Sequence, residues 1–201
     1  MEVGGHPQSV SLGTSNLKER YWFKAAEEIG KRLNNPGRAL IVGIGGATIF
    51  HLLSQKFSEL ELVGVELDPE IIKVSRKFFG LDEIKNLKVI IGDGENHITT
   101  ELARRQGSRA KRGVLITPLA GEGSRAKRGV LTNDRGSKFD LTFIDAYLGG
   151  NFPSHFQEES FLRQLREITN LGGLIVINRV RGFDRDSFRE RLASVLLRWR
   201  W

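Results

Sequence analysis

The 201-residue chain contains no cysteine. That excludes a disulfide framework, a thiolate nucleophile and any zinc site built on cysteine. Histidine is scarce as well, with four residues scattered at spacings that suit no metal, so the sequence points to no metal centre. No apolar run approaches the ~20 residues of a membrane span. The first ten residues, MEVGGHPQSV, lack both the basic leader and the apolar core of a secretion signal. These absences predict a cytoplasmic chain without a membrane segment. What is present, 39% hydrophobic and 27% charged residues, is the composition of one globular domain with a sizeable core.

A net charge of +7 raises nucleic acid as a partner, but its distribution argues otherwise. The stretch from Arg104 to Lys138 alone carries +8, and the rest of the chain carries −1. Within it the nonapeptide GSRAKRGVL occurs twice, at 107–115 and 123–131. The segment is rich in Gly, Ser and Arg and has no apolar periodicity. Residues 107–136 are therefore expected to form a mobile basic loop inserted into a finished fold, which loop entropy tolerates at roughly 0.6 kcal/mol per doubling of length. Nucleic-acid binding is expected only if that loop itself supplies it. Residues 1–16 are expected to be a flexible end.

Outside the insert, strands and helices alternate. Helices are expected over 17–33, 47–57, 68–80, 95–106, 158–170 and 184–197, and strands over 38–44, 60–67, 87–93, 139–147 and 172–180. The strands read as continuous apolar runs, as they do when both faces are covered. The fold class is thus α/β, a doubly wound, mainly parallel sheet. After the fifth strand comes one helix and then RWRW, an abrupt end that reads as a truncation, with an amphipathic helix docking on the sheet as the alternative.

In such sheets ligands bind beyond the carboxyl ends of the strands. Strand one runs into GIGGAT, where Gly43, Gly45 and Gly46 allow a sharp turn and close approach to a ligand, or simply satisfy packing. Glu66 ends strand two, placed to accept both ribose hydroxyls of an adenine nucleoside. Asp93 ends strand three, either accepting from an adenine amino group or capping the next helix. Asp145 ends strand four, beside Tyr147. A nicotinamide site is disfavoured, because its fingerprint GxGxxG needs glycine where Thr48 stands, and hydride transfer gives no reason for acids after strands three and four.

Through YWFKAAEEI, NNPGRALIVGIGG, VGVELDPEIIKVSRKFFG, VIIGDGENHI, FDLTFIDAYLGGNFPSHF, EESFLRQL and LGGLIVIN the chain resembles the spermidine synthase-like branch of the class I S-adenosylmethionine-dependent methyltransferase fold. The resemblance spans about residues 21–180 without the insert. It implies S-adenosylmethionine as cofactor, with the turn Gly43, Ile44, Gly45 and Gly46 against its amino-acid part. Glu66 and Leu67 would lie at the ribose, Asp93 and Gly94 at the adenine, and Asp145 at the transfer centre. Tyr147 would share the catalytic role, and Tyr21 and His155 would line the acceptor pocket.

Departures from the family pattern bear on the reaction. Aminopropyltransferases of this branch carry an acid within the glycine motif, GGGDG, where this chain has Gly46. They also carry a YHE-type motif, where Tyr21 is followed by Trp22 and Phe23. A neutral glycine tolerates a cofactor that keeps its carboxylate better than an aspartate does. Methyl transfer to a small-molecule nucleophile is the expected reaction, with aminopropyl transfer from decarboxylated cofactor as the alternative and a catalytically dead nucleotide-binding remnant as the second. The amino-terminal strands of polyamine synthases and the last two strands of the methyltransferase sheet are not found, which would leave strand five at an edge and a homodimer possible.

Overall fold

The computed structural model describes residues 2–3, 6–7, 9–10, 12–110, 138–147, 151–178, 188, 190 and 192. Five strands form one wholly parallel sheet: β1 (Arg38–Val42), β2 (Glu61–Glu66), β3 (Leu87–Ile91), β4 (Phe139–Ile144) and β5 (Thr169–Ile177). Their order across the sheet is β3-β2-β1-β4-β5. Helices α1 (Tyr21–Arg32), α2 (Thr48–Lys56), α3 (Pro69–Phe79), α4 (Gly94–Ala110) and α5 (Glu159–Ile168) alternate with them. The doubly wound α/β fold read from the sequence is the fold observed.

Burial on both faces explains the apolar strand sequences. Along β1, Ala39 and Ile41 face a cluster with Trp22 and Ile29 of α1, Phe50 and Leu53 of α2, and Ile72 of α3. Leu40 and Val42 point the other way, to Ile98 of α4 and to Phe161 and Leu165 of α5. Phe188 and Leu192, four residues apart, join this second cluster. The chain therefore winds outward from β1 to β3 on one face, then returns to β4 on the other. The reversal opens a crevice at the carboxyl ends of β1 and β4, the position where this topology binds ligands.

Local chemistry sets the helix ends. Asp68 caps α3 by accepting from the Glu70 N–H at 2.8 Å, Pro69 occupies the first turn, and Gly80 closes the helix with φ 63°.

Several boundaries differ from expectation. The first helix is split, with a short 3-10 turn at Leu17–Glu19 before α1. Helix α5 stops at Ile168 because Thr169 and Asn170 are drawn into the sheet. The Thr169 hydroxyl pairs with that of Thr142 at 2.8 Å, and the Asn170 amide donates to Asp140 at 2.6 Å. Helix α4 continues to Ala110, so residues 107–110 of the expected insert are helical and the remainder of it lies outside the described residues. The terminal RWRW and most of the helix expected over 184–197 also lie outside them. Within the start expected to be flexible, Ser9 is packed against the fold and only 2% exposed. Its hydroxyl accepts from the Gly46 N–H at 2.6 Å, while Val10 exchanges two hydrogen bonds with the Thr48 hydroxyl. Polar loop amides at the start of α2 demand partners, and this short segment provides them.

Candidate active site

At the end of β1 the chain turns through three unusual conformations in five residues: Gly43 has φ 94°, Gly45 φ 54° and Ala47 φ 59°. A non-glycine residue in the left-handed region stores strain. Ala47 is fully buried there, and its N–H is tied to the Ile44 carbonyl at 2.9 Å. Of the two roles left open for the glycines, ligand approach or packing, packing is the one seen at two of them. A β-carbon on Gly43 would lie 2.2 Å from the Asp145 carbonyl oxygen, and one on Gly46 2.5 Å from the Ser9 β-carbon and 3.0 Å from the Phe79 ring. Ile44 turns its side chain into the core.

Glu66 reaches across to this turn. Its Oε2 accepts from the N–H groups of Ile44 at 2.9 Å and Gly45 at 3.3 Å, and its Oε1 accepts from Asp68 at 3.1 Å. The carboxylate thus fixes the glycine turn against β2. A carboxylate has about four acceptor positions, so these three hydrogen bonds leave one open. Leu67 follows with 52% of its surface exposed, and Ile91, at the end of β3, is 57% exposed. Two large apolar side chains at adjoining strand ends suit the face of a purine.

Asp93 caps α4, with Oδ1 accepting from the Asn96 N–H at 2.9 Å. Of the two roles left open by the sequence, the cap is the one seen, and Oδ2 takes no part in it. Gly94 is held by packing, since a β-carbon there would meet Val42 at 2.4 Å. His155 sits in a 3-10 turn, its Nε2 4.0 Å from Glu95 of α4 and its ring packed in a T-shape against Phe156.

A polar cluster surrounds Asp145. Tyr21, carried in by the first turn of α1, donates its hydroxyl to Oδ2 at 2.5 Å, and the Asn178 amide donates to Oδ1 at 2.8 Å. Tyr147 donates to the Asn178 carbonyl at 2.7 Å. Asp145 keeps some accessible surface, but its carboxyl group is packed round by protein. This burial raises its pKa above the usual carboxylate value, and the hydrogen bonds from Tyr21, Asn178 and Trp22 offset part of the rise. The Tyr21 phenol is pushed upward too, first by burial and then by the Asp145 charge, so its proton stays on the tyrosine. Residues 21 and 145 were read separately from the sequence, and the fold makes them direct partners. Asn178 and Ser9 were not identified from the sequence. A polar residue ending the apolar run of strand five was the available signal for Asn178, whereas nothing local marks Ser9.

The fold is shared with proteins of known structure. Human methyltransferase-like protein 13, solved with SAH, superposes with a TM-score of 0.61 at 22% identity, covering 85% of this chain and 72% of that one. A spermidine synthase solved with the transition-state analogue AdoDATO superposes with a TM-score of 0.58 at 16% identity, covering 87% and 51%. The fold is the class I methyltransferase fold, and both methyltransferases and spermidine synthases are among the structures it resembles. Curated relatives divide in the same way. The polyamine aminopropyltransferase of Vibrio vulnificus is 24% identical over 143 residues, and the human eEF1A lysine and N-terminal methyltransferase is 29% identical over 149. These alignments take in 71% and 74% of this chain but only 38% and 18% of the relatives' length. No family model matches the chain. Among the described residues no helix is long and apolar enough to cross a membrane.

Proposed function

We propose that this chain binds S-adenosylmethionine in the crevice at the ends of β1 and β4 and transfers its methyl group to a small nucleophilic acceptor. The residues present suit the cofactor: Glu66 with an acceptor position for ribose, Leu67 and Ile91 for the purine, Asp93 Oδ2 for its amino group, and the glycine turn for the amino-acid end. When bound, the cofactor supplies a methyl group on a sulfonium that is already activated for in-line displacement. The chain's own residues need only align the acceptor and take its proton. Asp145 is placed for that, with Tyr21 and Asn178 fixing its two oxygens and its raised pKa bringing it nearer the working range of a general base.

The observation that favours methyl over aminopropyl transfer is Gly46. Its amide is taken by Ser9, and there is no room for a β-carbon, so an acid that would hold the free amine of decarboxylated cofactor cannot stand there without displacing Ser9 and Phe79. Calorimetry with S-adenosylmethionine and its decarboxylated form checks this. Tighter binding of the carboxylate-bearing form is expected, and tighter binding of the decarboxylated form would transfer the assignment to aminopropyl chemistry. The aminopropyltransferase relatives favour that second reading.

Several finer expectations accompany this reading: a cytoplasmic enzyme, no nucleic-acid role unless the 107–136 segment supplies one, and a homodimer through the β5 edge. A salt-dependent gel shift and light scattering test the last two.

A further inference from the structure

Asn178 lies just past the end of β5 and is engaged three ways. Its N–H continues the sheet ladder to the Ile144 carbonyl at 2.9 Å. Its side-chain amide donates to Asp145 Oδ1 at 2.8 Å, and its own carbonyl accepts from the Tyr147 hydroxyl at 2.7 Å. The amide orientation follows from chemistry, because an ionised carboxylate only accepts and must meet the NH₂ end. One residue on one strand therefore holds both groups proposed to serve the transfer step, each through a different atom.

From this geometry we infer that Asn178 is a positioning residue, which fixes the Asp145 carboxylate against Tyr21 and anchors Tyr147 over the same crevice. The inference rests on the role proposed for Asp145 and deepens it. A carboxylate with donors on both oxygens cannot rotate without breaking one of them, so the remaining acceptor positions keep a constant direction. Preorganisation of this kind is what an in-line transfer requires of a proton acceptor. Packing alone does not explain the choice of residue, since the ladder bond and the Tyr147 bond use only backbone atoms that any residue but proline has. The side-chain amide serves the Asp145–Tyr21 pair, donating to Asp145 and also acting on the Tyr21 hydroxyl.

The groups that face Asp145 are Tyr21 and Trp22 from α1 and Asn178 just past β5, while Tyr147 acts on Tyr21. Removing the Asn178 donor therefore destabilises the charged form of Asp145 and leaves the other groups in place. The experiment is a carbon-13 carboxyl titration of Asp145, its signal assigned by loss in Asp145→Asn. It compares wild type with Asn178→Ala and with the isosteric Asn178→Asp, which keeps the shape and replaces a donor by an acceptor. The Asp145 midpoint is expected to move upward in Asn178→Ala and further upward in Asn178→Asp. A midpoint unchanged in a variant that retains the wild-type fold overturns the inference, and if the alanine variant does not fold, the aspartate variant decides. A purely structural role would lower stability without moving the midpoint. Calorimetry of wild type with SAH separates the two levels: absent binding with an Asn178-dependent midpoint defeats the proposed function and leaves the positioning role standing.

Discussion

Replacing Gly43 by alanine tests how closely β1 and β4 are joined at the crevice. Two effects add. At φ 94° an alanine is outside the regions open to L-residues, at a cost of roughly 1–3 kcal/mol. Its β-carbon would also stand 2.2 Å from the Asp145 carbonyl oxygen and 2.8 Å from its carbonyl carbon. Those are main-chain atoms that no rotamer change can clear. The Asp145 N–H is bonded to the Val42 carbonyl and the Gly43 N–H to the Val65 carbonyl, both at 2.8 Å, so neither strand can yield alone. Overpacking of this kind costs roughly 1–3 kcal/mol more, and the smaller unfolded-state entropy of alanine returns about 0.4–1 kcal/mol. The net expectation is a loss of about 1–5 kcal/mol, a large part of the roughly 5–15 kcal/mol that holds a domain folded. Urea unfolding followed by circular dichroism reads the midpoint, with Gly37→Ala as control. A β-carbon on Gly37 would only touch Asp140 at 3.5 Å, an ordinary contact, so that variant should stay within about 0.5 kcal/mol of wild type. If the two variants lose the same stability, the close crossing of the loops after β1 and β4 is not a constraint on this fold.

Two further substitutions separate function from framework. Because the folded-state pKa of Asp145 is raised, its charged form is disfavoured by folding, so its contribution to stability is fullest below the unfolded carboxylate value and is lost as pH rises through the raised one. Asp145→Asn should remove that decline and be at least as stable as wild type at neutral pH, and denaturation midpoints measured across pH, taken as a difference, cancel other groups such as His97; a slope identical to wild type contradicts the raised value. Asp93→Ser should retain a helix cap, and with it most of the stability of α4, while losing the reach of Oδ2, so calorimetry should show weaker SAH binding with a nearly unchanged melting temperature, and undiminished affinity would restrict Asp93 to capping.

The sequence by itself determined the α/β class, the five strands and the acids that close three of them, because burial on both faces writes an unbroken apolar run and a strand end is visible wherever that run meets a charge. It also showed that Gly46 is not the acid of an aminopropyl transferase motif. What it could not carry was pairing across the chain. Tyr21 and Asp145 are 124 positions apart, Ser9 and Gly46 are 37 apart, and Asn178 meets Asp145 only because β4 and β5 are neighbours in the sheet. Tertiary structure alone decided that two of the glycines face protein atoms, that Asp93 caps a helix, and that Asp145 stands enclosed by Tyr21, Trp22 and Asn178. The physical reason is that local sequence governs backbone propensity and periodicity, whereas hydrogen-bond partners and burial depend on which elements the fold sets side by side.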